Sequence, residues 1–183
     1  MPDIAPDIAP HVAPDIAPHI AIADRLAITD LLYRYCRAMD RIDHELGYAV
    51  WHENAEADYG PMFRGTGRGF IDWVLATHAR MIAHSHQITN ILVELDGSLA
   101  ASEAYVTVAL RYEVDGRLRQ MTGRGRYLDR LEKRDGRWGI VQRRYIHDFD
   151  SEEPVTNARF AGWGRRDRDD PSYAVLALNA GPP

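Results

Sequence analysis

The run from His86 to Phe149, HQITNILVELDGSLAASEAYVTVALRYEVDGRLRQMTGRGRYLDRLEKRDGRWGIVQRRYIHDF, decides the fold. Three Asp-Gly pairs, Asp96-Gly97, Asp115-Gly116 and Asp135-Gly136, divide it into segments at about 86–95, 100–114, 117–132 and 137–149. Asp-Gly accepts the positive φ angles of tight hairpin turns, so these segments read as consecutive antiparallel strands. Alternation places Arg143, Tyr145 and His147 on one face of the last strand. The strand before it carries Met121, Gly123, Gly125 and Tyr127 together, and the one before that Ala104, Val106, Val108, Leu110 and Tyr112. A face so apolar, with few polar groups, can line a ligand pocket, and the two glycines would leave room beside it. Packed core is the competing reading of the same face.

Upstream of His86 the period is helical. From about Asp24 to Arg41, residues Ile28, Leu31, Leu32, Tyr35 and Met39 form an apolar stripe. Leu32, Cys36 and Asp40 follow at i, i+4 and i+8, which puts the Asp40 carboxylate at the edge of that stripe, away from Arg34, Arg37 and Arg41. A carboxylate beside a core is costly unless it is paired. His86, at the start of the first strand, is the candidate partner. Asp43 can cap a short second helix carrying Leu46, Val50 and Trp51. Ala57-Asp58-Tyr59 reads as a short strand ended by Gly60-Pro61, and a third helix is expected from about Arg68 to Ala83, with Phe70, Trp73, Val74, Thr77 and Met81 on one side. Helices first and a meander afterwards is the order of an α+β fold.

The first 21 residues repeat Pro-Asp-Ile-Ala and Pro-His-Val/Ile-Ala units, with proline at every fourth position from Pro2 to Pro18. Proline removes donors and fixes φ, so residues 1–21 read as a flexible extended arm, or as a strap docking on a neighbouring subunit. Residues 22–150 form the expected domain and 151–183 a tail that could pack on a neighbouring subunit. The charged cluster Arg165-Arg166-Asp167-Arg168-Asp169-Asp170 reads as a solvated loop.

The 183 residues suffice for one domain with a sizeable core. A net charge of −5 gives no overall attraction for nucleic acid or anionic lipid. The single cysteine, Cys36, excludes a disulfide framework and a thiolate metal site and fits a reducing, cytoplasmic setting. The repeat lacks the basic start and apolar core of a signal peptide, and no apolar run is long enough to span a membrane. His84 and His86 could share a strand face as metal ligands do, but no third ligand stands at a diagnostic spacing, so no metal is expected. Gly65-Thr66-Gly67-Arg68-Gly69 lacks the context of a phosphate loop and reads as a turn.

Tyr35-x4-Asp40, His86-x3-Asn90, Tyr127, and Glu132-Lys133-Arg134-Asp135-Gly136-Arg137-Trp138 leading to Arg143 together resemble the SnoaL-like branch of the nuclear transport factor 2-like superfamily. The likeness spans about Ala23 to Phe149. Within the branch the pattern is most similar to hexachlorocyclohexane dehydrochlorinase, scytalone dehydratase and bile-acid 7α-dehydratase. The resemblance implies a cone-shaped α+β barrel, a curved and mostly antiparallel sheet packed on about three N-terminal helices, with the site inside the cone. It implies a His86–Asp40 catalytic dyad, Tyr35 and Arg143 as catalytic neighbours, and Tyr59 near a tyrosine used by the dehydratases. Tyr127, Tyr145, His147, Asn90 and Trp73 are the further candidates for substrate contact.

The expected activity is that of a cofactor-independent lyase, in which His86 takes a proton and water, halide or an aldehyde leaves a small hydrophobic or aromatic substrate. An isomerase or polyketide-type cyclase on the same pocket, and a non-catalytic ligand-binding module, are the alternatives. A homo-oligomer, trimer or dimer, is expected, because a curved sheet leaves an outer face in need of cover.

Overall fold

A computed structural model of the protein describes residues 18–156 and 162–177. Helix α1 spans Pro18–Arg41 and α2 His44–Ala49; strand β1 is Trp51–Asp58, β2 Arg64–Thr66, and helix α3 Gly67–Ala79. The meander follows as β3 Ala83–Asp96, β4 Leu99–Val114, β5 Arg117–Arg134 and β6 Arg137–Pro154, and the last element among the described residues is helix α4, Pro171–Leu176. The six strands form one curved mixed sheet in the order β2-β1-β6-β5-β4-β3. Only β1 and β6 run parallel. The architecture is therefore α+β and cone-like, with an open sheet whose edges are β2 and β3 rather than a closed barrel.

Helix α1 begins earlier than the proline periodicity suggested. Pro18 stands at its first position, where a missing N–H costs nothing and the fixed φ already suits the helix. The rest of the repeat, residues 1–17, lies outside the described residues, as does any test of its flexibility. The stripe is buried as expected, with Ile28, Leu32, Tyr35 and Met39 at 1% exposure or less. Asp24 is also buried and accepts hydrogen bonds from Lys133 Nζ (2.7 Å) and Trp138 Nε1 (2.9 Å), tying the start of α1 to the β5–β6 hairpin. At its other end Ile42 turns to φ 51°, and the Asp43 N–H reaches back to the Ala38 carbonyl at 3.0 Å. This is a Schellman closure with isoleucine in the left-handed position usually filled by glycine. Asp43 then caps α2, its carboxylate accepting from the Leu46 N–H at 3.1 Å.

Two local expectations are corrected. Trp51 begins strand β1 rather than ending the second helix, because the parallel register to Ile140 of β6 claims it. Residues 64–69 are a short strand leading into α3, capped by the Thr66 hydroxyl on the Gly69 N–H. Gly67 is obligatory there, since a Cβ would lie 2.4 Å from the Trp51 ring.

The β4–β5 and β5–β6 turns have positive φ at both residues of Asp115-Gly116 and Asp135-Gly136, as the hairpin reading requires. The β3–β4 turn is centred one residue later, on Gly97-Ser98. A bulge between Thr89 and Leu92 interrupts β3, with Asn90 at φ 50°. The core lies between α1 and α3 and the concave sheet face, where Phe70, Ile71 and Leu75 meet Ala104, Val106, Tyr127, Leu131 and Ile140. Burying each large side chain contributes roughly 1.5–3 kcal/mol. Among the described residues no helix is long and apolar enough to cross a membrane.

Candidate active site

The edge strand β3 lies against the last turns of α1, and this packing brings Asp40 and His86 together. The His86 ring Nδ1 stands 2.8 Å from Asp40 Oδ1, and the His86 backbone N–H donates to Asp40 Oδ2 at 3.1 Å. An ionised carboxylate only accepts, so Nδ1 carries a proton, and in the neutral ring Nε2 carries the lone pair. Nε2 has no hydrogen-bond partner among the described residues. The His86 side chain is 5% exposed and that of Asp40 19%.

The pair lies in the wall of a groove of about 770 Å³ lined also by Tyr33, Cys36, Arg37, Ile88 and, from α4, Tyr173. Its size suits a small organic ligand. The groove is open at the side of the domain, where a closed interior pocket was expected. Burial pushes the Cys36 thiol up to about 12, so it is a neutral apolar wall rather than a nucleophile.

His84 and His78 complete a cluster of three imidazoles. The His84 and His78 rings are 4.5 Å apart, and His78 lies 5.2 Å from His86. His84 Nε2 is 2.8 Å from the Met39 carbonyl, which needs an N–H, so its Nδ1 is the acceptor facing Arg166 Nη1 at 3.2 Å. Burial drives the His78 ring down to about 2, with His86, His84 and Arg166 adding to the effect. Burial likewise lowers His84, against the Met39 carbonyl. Among the described residues no group of three side chains is arranged to hold a metal ion. His84 spends both nitrogens on Met39 and Arg166, and His86 spends its Nδ1 on Asp40.

Tyr35, Tyr59, Tyr127 and Arg143 stand apart from this groove. Arg143 is fully buried and pairs with Asp129 through two hydrogen bonds of 2.7 Å. Its guanidinium lies over the rings of Tyr35 (4.1 Å) and Tyr127 (4.2 Å). The Tyr35 and Tyr59 hydroxyls are 2.9 Å apart, and burial raises the hydroxyls of Tyr35, Tyr59 and Tyr127 well above the usual tyrosine range. The sheet-face reading therefore holds in part. Arg143, Tyr145 and His147 do share the concave face, but Arg143 sits in packed core. Gly125 leaves no free space, because the Tyr145 ring fills it 2.6 Å from where a Cβ would be.

Tyr145 is half-buried, and its hydroxyl lies 3.3 Å from the Nδ1 of the more exposed His147, whose Nε2 pairs with Asp150 at 3.2 Å. Asn90 is exposed at the β3 bulge, and Trp73 packs on Phe63 and Phe70.

Residues not singled out from the sequence also shape the groove. Arg37 is one turn before Asp40 on α1, donates to the Ser172 hydroxyl at 3.1 Å and lies 4.6 Å over the Tyr173 ring. Arg41 pairs with Asp170 at 3.3 Å, and Tyr173 donates to Asp43 at 2.8 Å. The cluster read as a solvated loop is divided in two. Arg165, Asp167 and Asp169 pair with one another at the surface, while Arg166, Arg168 and Asp170 hold the domain. Residues 166–173 thus contact α1, Asp43, the end of α3 and β3. Helical spacing set Arg34, Arg37 and Arg41 on the side away from Asp40, yet all three line the same groove as Asp40; nothing local in the tail marks Tyr173 or Arg166.

The model of the SnoaL-like domain matches residues 21–144. The chain belongs to this family. The SnoaL-like chain also has solved structural neighbours of the same fold. A putative scytalone dehydratase from Novosphingobium aromaticivorans is 20% identical with TM-score 0.67, over 80% of this chain and all of the other (100%). A hexachlorocyclohexane dehydrochlorinase from Novosphingobium barchaimii is 18% identical with TM-score 0.67, over 80% of this chain and 99% of the other. A putative aromatic ring hydroxylase from Novosphingobium aromaticivorans is 27% identical with TM-score 0.63, over 73% of this chain and 94% of the other. No curated protein sequence matches the SnoaL-like chain significantly. The resemblance read from Tyr35, Asp40, His86, Asn90, Tyr127 and the Glu132–Arg143 segment is thereby established at the level of family and fold.

Proposed function

We propose that the protein is a cofactor-independent lyase in which neutral His86 removes a proton from carbon, or from a hydroxyl in a retro-aldol variant, and water, halide or an aldehyde is expelled. The observation that carries this reading is the double contact of His86 with Asp40, which commits the ring proton to Nδ1 and leaves the Nε2 lone pair for substrate. Asp40 holds the tautomer and stabilises the imidazolium as it forms. The SnoaL-like fold, and neighbours described as a dehydratase and a dehydrochlorinase, support elimination chemistry.

Apolar and aromatic groups in the groove, Ile88, Tyr33 and Tyr173 among them, suit a small hydrophobic or aromatic substrate. Because Tyr35 and Arg143 are locked in a separate core cluster, assistance to the leaving group falls instead to groove residues such as Arg37 or Tyr173. In this reading Tyr35, Tyr59, Tyr127 and Arg143 hold α1 against the sheet and so keep Asp40 in register with β3. The test is a screen of small aromatic alcohols and halides for loss of water, halide or formaldehyde, with His86→Ala as the control. Turnover that survives in His86→Ala would remove the assignment, and conversion without a released molecule would move the reading to an isomerase or cyclase.

A further inference from the structure

In the C-terminal segment Arg166 reaches the imidazole cluster, and no part of the mechanism above employs it. Its Nη1 donates to the His78 carbonyl at 2.9 Å, in the last turn of α3, and stands 3.2 Å from His84 Nδ1. A cation at a helix C-terminus is favourably placed, so the first contact anchors the guanidinium. The second contact has a chemical consequence. A guanidinium has donors only, so the nitrogen facing it must carry a lone pair. The opposite nitrogen faces the Met39 carbonyl at 2.8 Å, and a carbonyl only accepts, so that nitrogen must carry the proton. The Met39 contact needs a proton on Nε2 and the Arg166 contact needs a lone pair on Nδ1, and together they specify the neutral Nε2–H tautomer of His84.

Met39 and Asp40 are consecutive in α1, and His84 and His86 lie two apart on one face of β3. The two imidazoles therefore grip adjacent residues of the last helical turn, His84 by a carbonyl and His86 by a carboxylate. The charged and titratable groups facing His84 are Asp40 from α1, His78 from α3, His86 from its own strand and Arg166 from the tail. From β4 the register sets Leu110 opposite His84 and Val108 opposite His86, neither of which titrates. Of these neighbours only Arg166 contacts His84 Nδ1.

We propose that Arg166 is a positioning residue for the His86–Asp40 pair: it locks His84 in the neutral Nε2–H form, so that His84 braces the Met39 carbonyl and adds no positive charge beside His86. Were His84 to take a proton, its Nδ1–H would oppose the guanidinium. A second cation would then stand beside the ring that must accept the substrate proton, their centroids 6.2 Å apart. The bearing of this on catalysis rests on the reading of His86 as the base; the tautomer lock itself does not.

The test is long-range ¹H–¹⁵N NMR of the full-length protein labelled at histidine, which distinguishes Nε2–H, Nδ1–H and doubly protonated rings, followed from pH 8 to pH 5. His84 is expected to remain neutral and Nε2–H throughout in the wild type. In Arg166→Gln the Met39 carbonyl still holds Nε2–H, but Nδ1 is free to take a proton, so the ring should pass to the doubly protonated form within this range, and Arg166→Lys should restore part of the wild-type pattern. Arg168→Gln is the control, since Arg168 ties the same segment to Asp43 without touching His84. A His84 ring that stays Nε2–H and neutral in Arg166→Gln overturns the proposal, as does an equal change in Arg168→Gln. These readings need no substrate, so failure to find turnover would count against the lyase and leave the Arg166 assignment standing.

Discussion

Asp40 receives both the ring N–H and the backbone N–H of His86, one on each carboxylate oxygen. The backbone contact fixes the carboxylate against the edge strand, so the ring contact is held by a main chain that cannot rotate away. The arrangement specifies the tautomer of His86 as well as its position. An amide at residue 40 could offer an N–H to Nδ1 and so move the lone pair from Nε2 to Nδ1.

The two substitutions should therefore be strongly non-additive. His86→Ala is expected to remove nearly all turnover, and Asp40→Asn to cost on the order of 10²–10⁴-fold in kcat. The double variant should be little worse than His86→Ala, because residues acting as a unit do not contribute separately. Multiplying single effects in the double variant would show that Asp40 and His86 act independently.

The buried Arg143–Asp129 pair should govern stability rather than chemistry. Arg143→Met leaves an uncompensated carboxylate in the core and is expected to cost about 3–5 kcal/mol in urea unfolding. Combining it with Asp129→Leu should recover most of that loss. A shift in the urea midpoint no larger than that of a surface substitution would show that the pair contributes little.

Stability should fall on mild acidification because of His78. Its folded-state value of about 2 lies below the ordinary imidazole value of 6.5, so the unfolded chain binds the extra proton between them. Unfolding is then favoured as pH falls below about 6.5, at up to about 1.4 kcal/mol per pH unit, or roughly 2 kcal/mol by pH 5. His84, also lowered, adds to the same slope. Replacing His78 by Phe should flatten the dependence of the urea midpoint between pH 7 and pH 5; an unchanged slope would place its origin elsewhere.

A homo-oligomer, dimer or trimer, is expected in solution. The outer sheet face carries exposed Leu92 (65%), Tyr105 (44%) and Phe149 (62%), apolar surface that association would cover. Light scattering at micromolar concentration is the measurement, and a monomer there would leave this face without a partner of its own kind.

The strands were legible because their periodicity is local. Period-two alternation and the Asp-Gly pairs delimit β3 to β6 without reference to anything distant. Trp51 and Thr66 were misread for the opposite reason, since a parallel partner far along the chain, Ile140 of β6, claims one and a helix start the other. The Asp40–His86 contact was legible because each residue breaks its own local pattern. The separation of Tyr35 and Arg143 from the groove was not, because alternation specifies a face and says nothing of what fills it.

The sequence by itself determined the α+β order, the buried stripe of α1 and two of the three hairpin turns, and it named Asp40 and His86 as candidate partners, all from spacing along one or two elements. Tertiary structure decided which polar groups share a space. Arg143 disappears into a tyrosine-lined core because Asp129 lies beside it in the β5–β6 register, and Tyr173 reaches the groove, Arg166 the imidazoles and Asp170 Arg41 because the chain folds back across α1. Contacts so distant along the chain leave no period in the sequence, since their residues meet only when separate elements are packed together.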